Sequence, residues 1–202
     1  MRMPFFAALV LGLAVAAGVS KANAEERRFI DPTTQTVIIY QSDENGLIVP
    51  QAGGGSRIPR EDIAYDGPYG PNTIIVSTPE RRLYYVYAPG RAIRYGVGVG
   101  REGFQWSGTN RITRKAEWPG WTPPAQMRAR QPGLPAYMPG GLDNPLGARA
   151  MYIGATLYRI HGSNAPSTIG HAVSSGCIRM TNEDVIDLYE RVSVGTKVVV
   201  LQ

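Results

Sequence analysis

The chain has 202 residues, 43% of them hydrophobic and 18% charged, with a formal net charge of +5 at pH 7. Setting aside Arg2 and Lys21 of the leading segment leaves about +3, too little to argue for nucleic acid as a partner. The length suits one domain with a short N-terminal extension, and a single cysteine, Cys177, excludes an intrachain disulfide.

Arg2 gives the N-terminus a positive start, and Phe5 to Val19 form an uncharged apolar run of 15 residues. Spanning a bilayer takes roughly 20. Ala22-Asn23-Ala24 then offers small residues at a cleavage site, followed by Glu25 and Glu26. Residues 1–24 are therefore expected to be a secretory signal peptide, with no permanent membrane span. No cysteine follows the apolar run, which argues against a lipid anchor.

Residues 25–71 are expected to form a flexible or peripheral extension, with one candidate strand at Thr36–Tyr40. Gly53-Gly54-Gly55-Ser56 has the composition of a hinge. From Asn72 the pattern turns to strands. Thr73–Val76 and Arg82–Tyr87 are rich in aromatic and β-branched residues, and the turn Ala88–Arg91 leads into a run over Ala92–Val99. Gly96, Gly98 and Gly100 alternate with Val97 and Val99, which suits either close backbone approach or a bulged strand. Residues 101–147 hold Trp106, Trp118 and Trp121 and seven prolines, the composition of a long packed loop or lid.

Ala150–Ile153 and Thr156–Ile160 read as strands on either side of Gly154-Ala155. A helix then follows. Thr181 and Asp184 make a capping pattern, and Val185, Leu188, Tyr189 and Val192 recur at helical spacing up to Gly195. Lys197–Leu201 is a final strand, so the fold is expected to be mainly β with a C-terminal helix packed on it.

Cys177 follows Ser174-Ser175-Gly176 and lies sixteen positions after His161. An exported thiol without a partner is either a small buried apolar residue or a reactive group. Glycine before it permits a tight turn that aims amide N–H groups at a substrate oxygen. A free thiol has a pKa near ~8.5 and needs a base to attack at neutral pH. His161 can supply that base; His171, between Gly170 and Ala172, reads as a surface histidine. A zinc site from these three residues lacks a fourth ligand and the paired short spacings of zinc sites.

His161-Gly162-Ser163-Asn164 followed by Ser174-Ser175-Gly176-Cys177-Ile178-Arg179-Met180 resembles the signature of the L,D-transpeptidase family, the YkuD/ErfK catalytic domain. Trp118–Pro124, Asn144–Arg149 and Gly195–Val198 resemble further segments of that family, and the likeness spans residues 72–202. It implies a β-sandwich-like catalytic domain acting on peptidoglycan tetrapeptide stems as donor and acceptor, in the periplasm, with no metal or cofactor. By position it makes Cys177 the nucleophile and His161 the general base, with the amides of Gly176 and Cys177 as an oxyanion hole. Ser174, Ser175, Gly162 and Arg179 are the expected substrate contacts. Ser175 stands where some members have a second histidine, and Arg179, where others have asparagine, would hold a donor carboxylate or fix the loop. The acceptor could equally be water, giving a carboxypeptidase, or a lysine of an outer-membrane lipoprotein. A catalytically silent wall-binding module and a redox-sensing thiol are the alternatives outside acyl transfer.

Overall fold

A computed structural model describes residues 58–202 and, before them, three short strands: β1 (Arg27–Ile30), β2 (Val37–Ser42) and β3 (Ile48–Pro50). These three form an antiparallel sheet in the order β1-β2-β3. The expected strand at Thr36–Tyr40 is thus β2, shifted by a residue or two. The expected signal peptide and the Gly53–Ser56 hinge lie outside the described residues.

The remaining strands are β4 (Glu61–Ala64), β5 (Thr73–Ser77), β6 (Arg82–Ala88), β7 (Arg91–Gly96), β8 (Val99–Gly100) and β9 (Gly108–Glu117). After helix α1 (Ala125–Arg130) come β10 (Arg149–Ile153), β11 (Arg159–His161), β12 (Ala172–Ser174) and β13 (Ile178–Arg179). Helix α2 (Asn182–Arg191) and β14 (Lys197–Leu201) complete the chain. Nine strands form one sheet in the order β13-β11-β10-β9-β14-β5-β6-β7-β4. The sheet folds over on itself: just past β7, Gly98 exchanges two backbone hydrogen bonds with Arg179 of β13, at 2.9 and 2.8 Å. A Cβ on Gly98 would sit 3.0 Å from the Thr168 carbonyl, so the close-approach reading of the alternating glycines applies here.

The main core fills the space between the two halves of this sheet. Ile74, Val76, Leu83, Ile93 and Tyr95 come from one half, and Met151, Ile153, Ile160, Ile178 and Met180 from the other. Helix α2 closes the core with Val185, Leu188 and Val192, and the Thr181 hydroxyl accepts the Asp184 N–H at 3.1 Å, as the capping pattern predicts. The hairpin of β6 and β7 also forms as expected. The architecture is the expected mainly-β fold with its C-terminal helix packed on the sheet.

Two expectations change. Residues 101–147 are not one long loop, because Gly108–Glu117 is a ten-residue strand between β10 and β14. It was hidden because it is polar: only Ile112 is fully buried, while Arg114 lies over the Tyr152 ring and Lys115 reaches the end of α2. Flanking strands rather than its own apolar residues hold it in place. Second, the folded unit starts before residue 72. β4 pairs with β7, and Ile63, Tyr65 and Tyr69 cover Ile75, Val86 and Ala92 on the outer face of the sheet.

Candidate active site

β11 and β13 run parallel, with His161 opposite Arg179 and Ile160 opposite Ile178. Opposed residues lie on one face of a sheet, about 4.8 Å apart between strands. Side chains two apart along a strand share a face, so Arg159 joins His161 and Arg179 there. Cys177 stands immediately before β13, at the mouth of the same face. Cys177, His161, Arg179, Ser174 and Ser175 all line one cavity of about 310 Å³. The structure therefore gathers five of the seven residues singled out from the sequence. Gly176 and Gly162 lie behind it.

The turn that presents Cys177 is tightly held. The Ser174 hydroxyl accepts the Gly176 N–H at 3.1 Å and donates to the Cys177 carbonyl at 2.6 Å. The Trp106 indole N–H donates to the Gly176 carbonyl at 2.8 Å, and Trp106 stacks on Tyr158 with ring centroids 4.5 Å apart. Gly176 has φ +105°, and a Cβ there would run into the Tyr158 ring, so glycine is required on two grounds. Ser174 is buried and acts as a clamp on this turn. Because the Gly176 N–H is already bonded inside the turn, the Cys177 N–H is the amide of the expected pair that has no partner among the described residues. The Ser175 hydroxyl accepts from Arg101 at 3.4 Å.

His161 is buried, and its Nδ1 lies 2.6 Å from the Gly162 carbonyl. A carbonyl only accepts, so the Gly162 contact places the proton of the neutral ring on Nδ1 and leaves Nε2 unprotonated. Gly162 thus orients the imidazole rather than lining the cavity, and a side chain there would collide with the Asn182 amide oxygen. Burial, then the Arg179 and Arg159 guanidinium charges, push the His161 pKa down to about 3, against the smaller upward pull of the Gly162 and Pro145 carbonyls. The imidazole is therefore neutral at physiological pH. The Cys177 thiol is half-buried and points to the Leu157 carbonyl, at 3.8 Å. His171 is exposed, as expected.

The excursion between β9 and β10 roofs the cavity. It is closed at its base by the Trp118 N–H to the Ala148 carbonyl and by reciprocal bonds between Trp121 and Met138, each 2.8 Å. Trp121, Pro124, Met127, Arg130 and Leu146 face the cavity from it. So this part of the expected lid does shape the groove, while Trp106 braces the turn that carries Cys177. The sequence reading missed Arg159, although its alternation with His161 along β11 was the available signal. Asn182 was read only as a polar helix start. Its amide oxygen accepts the Ala148 and Ser163 N–H groups at 2.9 and 3.3 Å, tying the chain on both sides of the histidine to α2.

Residues 71–200 match the family model described as YkuD, L,D-transpeptidase catalytic domain. The chain is 42% identical over 160 residues to the probable L,D-transpeptidase YbiS of Escherichia coli, covering 74% of this chain and 50% of that protein. It is 32% identical over 198 residues to a putative L,D-transpeptidase of Fuscovulum blasticum, covering 96% of both. A crystal structure from Brucella melitensis, described as a probable carnitine operon oxidoreductase, is 44% identical with a TM-score of 0.50, covering 72% of this chain and 94% of that one. That description names another activity, and the assignment here rests on the family match and the full-length relative. The chain spans about half the length of the first curated relatives it matches. With the matched segment covering the whole cavity wall, the chain belongs to the YkuD family of L,D-transpeptidase catalytic domains.

Proposed function

We propose that this protein is a peptidoglycan L,D-transpeptidase that acts through a Cys177 thioester in the periplasm. The observation that carries this is one cavity lined by a lone thiol and a neutral, backbone-oriented imidazole. The thiol turns from the Leu157 carbonyl toward His161 Nε2, which takes its proton as sulfur attacks the carbonyl of diaminopimelate in a tetrapeptide stem. The Cys177 N–H faces the oxygen as charge develops on it, and Gly176 holds that amide in place. Collapse of the adduct breaks the bond to the terminal D-Ala, whose amine receives the proton from His161. A thioester remains. An acceptor amine, that of diaminopimelate on a second stem, then attacks it, His161 takes the amine proton and returns it to sulfur, and a cross-link results. Ser174, Ser175 and Arg179 shape the donor end of the cavity, and no metal or cofactor enters the reaction.

Disaccharide-tetrapeptide incubated with the protein from residue 25 onward should release D-Ala and give cross-linked dimers. The Cys177→Ala variant should give neither, and intact-mass measurement should find an adduct on the wild-type cysteine alone. Tripeptide monomer without dimer would mean that water is the acceptor. Transfer only to a lipoprotein lysine would mark an anchoring enzyme. Unchanged activity in Cys177→Ala would sink the nucleophile assignment.

A further inference from the structure

The cavity wall carries charge of one sign. Arg130, Arg159 and Arg179 line it, and among the described residues no aspartate or glutamate does. Arg130 comes from α1 and lies over the Phe104 ring at 5.1 Å, with no carboxylate partner among the described residues. Arg159 is the more informative of these cations. Its guanidinium carbon sits 5.3 Å from the Tyr152 ring centroid, and its Nε is buried without a hydrogen-bond partner among the described residues. A buried guanidinium N–H left unsatisfied is costly. Arg149 Nε is buried and unpartnered too, but Arg149 stands outside the cavity wall, whereas Arg159 lines it and has no carboxylate partner among the described residues. Arg159 also shares the face of His161, two positions away along β11. A carboxylate that meets Arg159 from the cavity would lie beside His161.

We propose that Arg159 is a specificity-determining residue that binds a free carboxylate of the donor stem and makes the enzyme reject stems amidated at that carboxylate. This inference rests on the proposed activity and extends it. A carboxylate offers two acceptor oxygens to the guanidinium fork, whereas a carboxamide offers one oxygen and turns an NH₂ donor toward another donor. The tetrapeptide stem has three free carboxylates: on D-Glu, on diaminopimelate and on the terminal D-Ala. The chemistry recognised is the same for each, and the experiment separates them.

Four synthetic donors, one free and three amidated at a single carboxylate, are compared for kcat/KM with wild type and with Arg159→Gln and Arg159→Lys. Binding to Cys177→Ala and to the Cys177→Ala, Arg159→Gln double variant is measured by calorimetry for the same ligands. One amidation should lower wild-type kcat/KM at least tenfold, mainly through KM. Arg159→Gln should lose that discrimination, Arg159→Lys should keep part of it, and calorimetry should repeat the pattern. If Arg159→Gln fails to fold by thermal melting, Arg159→Lys alone must shrink the ratio by more than threefold. Equal turnover of all four donors, or discrimination that survives Arg159→Gln, overturns the inference and leaves the proposed activity standing. If none of the donors is turned over or bound by the chain, it is the activity that fails.

Discussion

At the scale of single residues, the proposed mechanism depends on an imidazole kept neutral by its surroundings. With a folded pKa of about 3, below the ordinary histidine value, His161 remains deprotonated down to about pH 4. The expected kcat/KM profile therefore shows no histidine limb between pH 8 and pH 5. Arg179→Gln removes a cation that disfavours the imidazolium, so any acid limb should move upward; a wild-type limb near 6.5 would contradict the burial argument. The same shift affects stability. Between the unfolded value near ~6.5 and about 3, the unfolded chain binds a proton that the folded chain refuses. The His161 contribution is thus fully present above ~6.5 and is lost as pH falls toward 3, costing on the order of a few kcal/mol. His161→Gln should flatten that part of the stability curve in denaturant titrations. Gly176→Ala places a side chain against Tyr158 at a left-handed φ, and should cost about 1–3 kcal/mol while abolishing acylation. Melting temperature and intact-mass trapping would measure the two effects.

At the scale of elements, the sequence was most legible where burial is one-sided or periodic. Strand β6, the turn into β7, and α2 with its Thr181 cap follow directly from pattern, because their apolar residues face one core. Strand β9 did not, since its stability comes from ladders to β10 and β14 and from contacts made by its charged side chains. Lys115 shows this best: its ammonium donates to the Tyr189 and Val192 carbonyls at 2.6 and 2.7 Å, at the negative end of α2. Lys115→Met should therefore lower stability by about 1–2 kcal/mol in a chemical melt, despite leaving the site untouched. An effect below 0.3 kcal/mol would show that water replaces the cap. Cys177 and His161 were readable because their residue types are rare in this chain. Arg159 was not, since arginine is common here and only the register of β11 against β13 gives this one a role.

At the scale of the whole molecule, the family match begins at residue 71, but the packed unit begins earlier. Residues 58–69 add an edge strand, cover Ile75 and Val86, and place Arg60 3.2 Å from Asp187 of α2. A chain of residues 71–202 should melt below one of residues 58–202, by about 2–4 kcal/mol of lost burial, with the same cavity chemistry. Equal melting temperatures would make the segment a passive strap. The bond pair between Gly98 and Arg179 has a broader consequence. Arg179 is tied on one side to Gly98, and the neighbouring Met180 N–H to the His161 carbonyl at 2.8 Å. The strand that follows the thiol is therefore stitched into the ladder, and the separation of Cys177 and His161 is set by strand register. Amide protons at Gly98, Arg179 and Met180 should exchange with deuterium only at the slow, global-unfolding limit. Thermal inactivation would then track loss of the fold itself, with no warm, folded and inactive state between them.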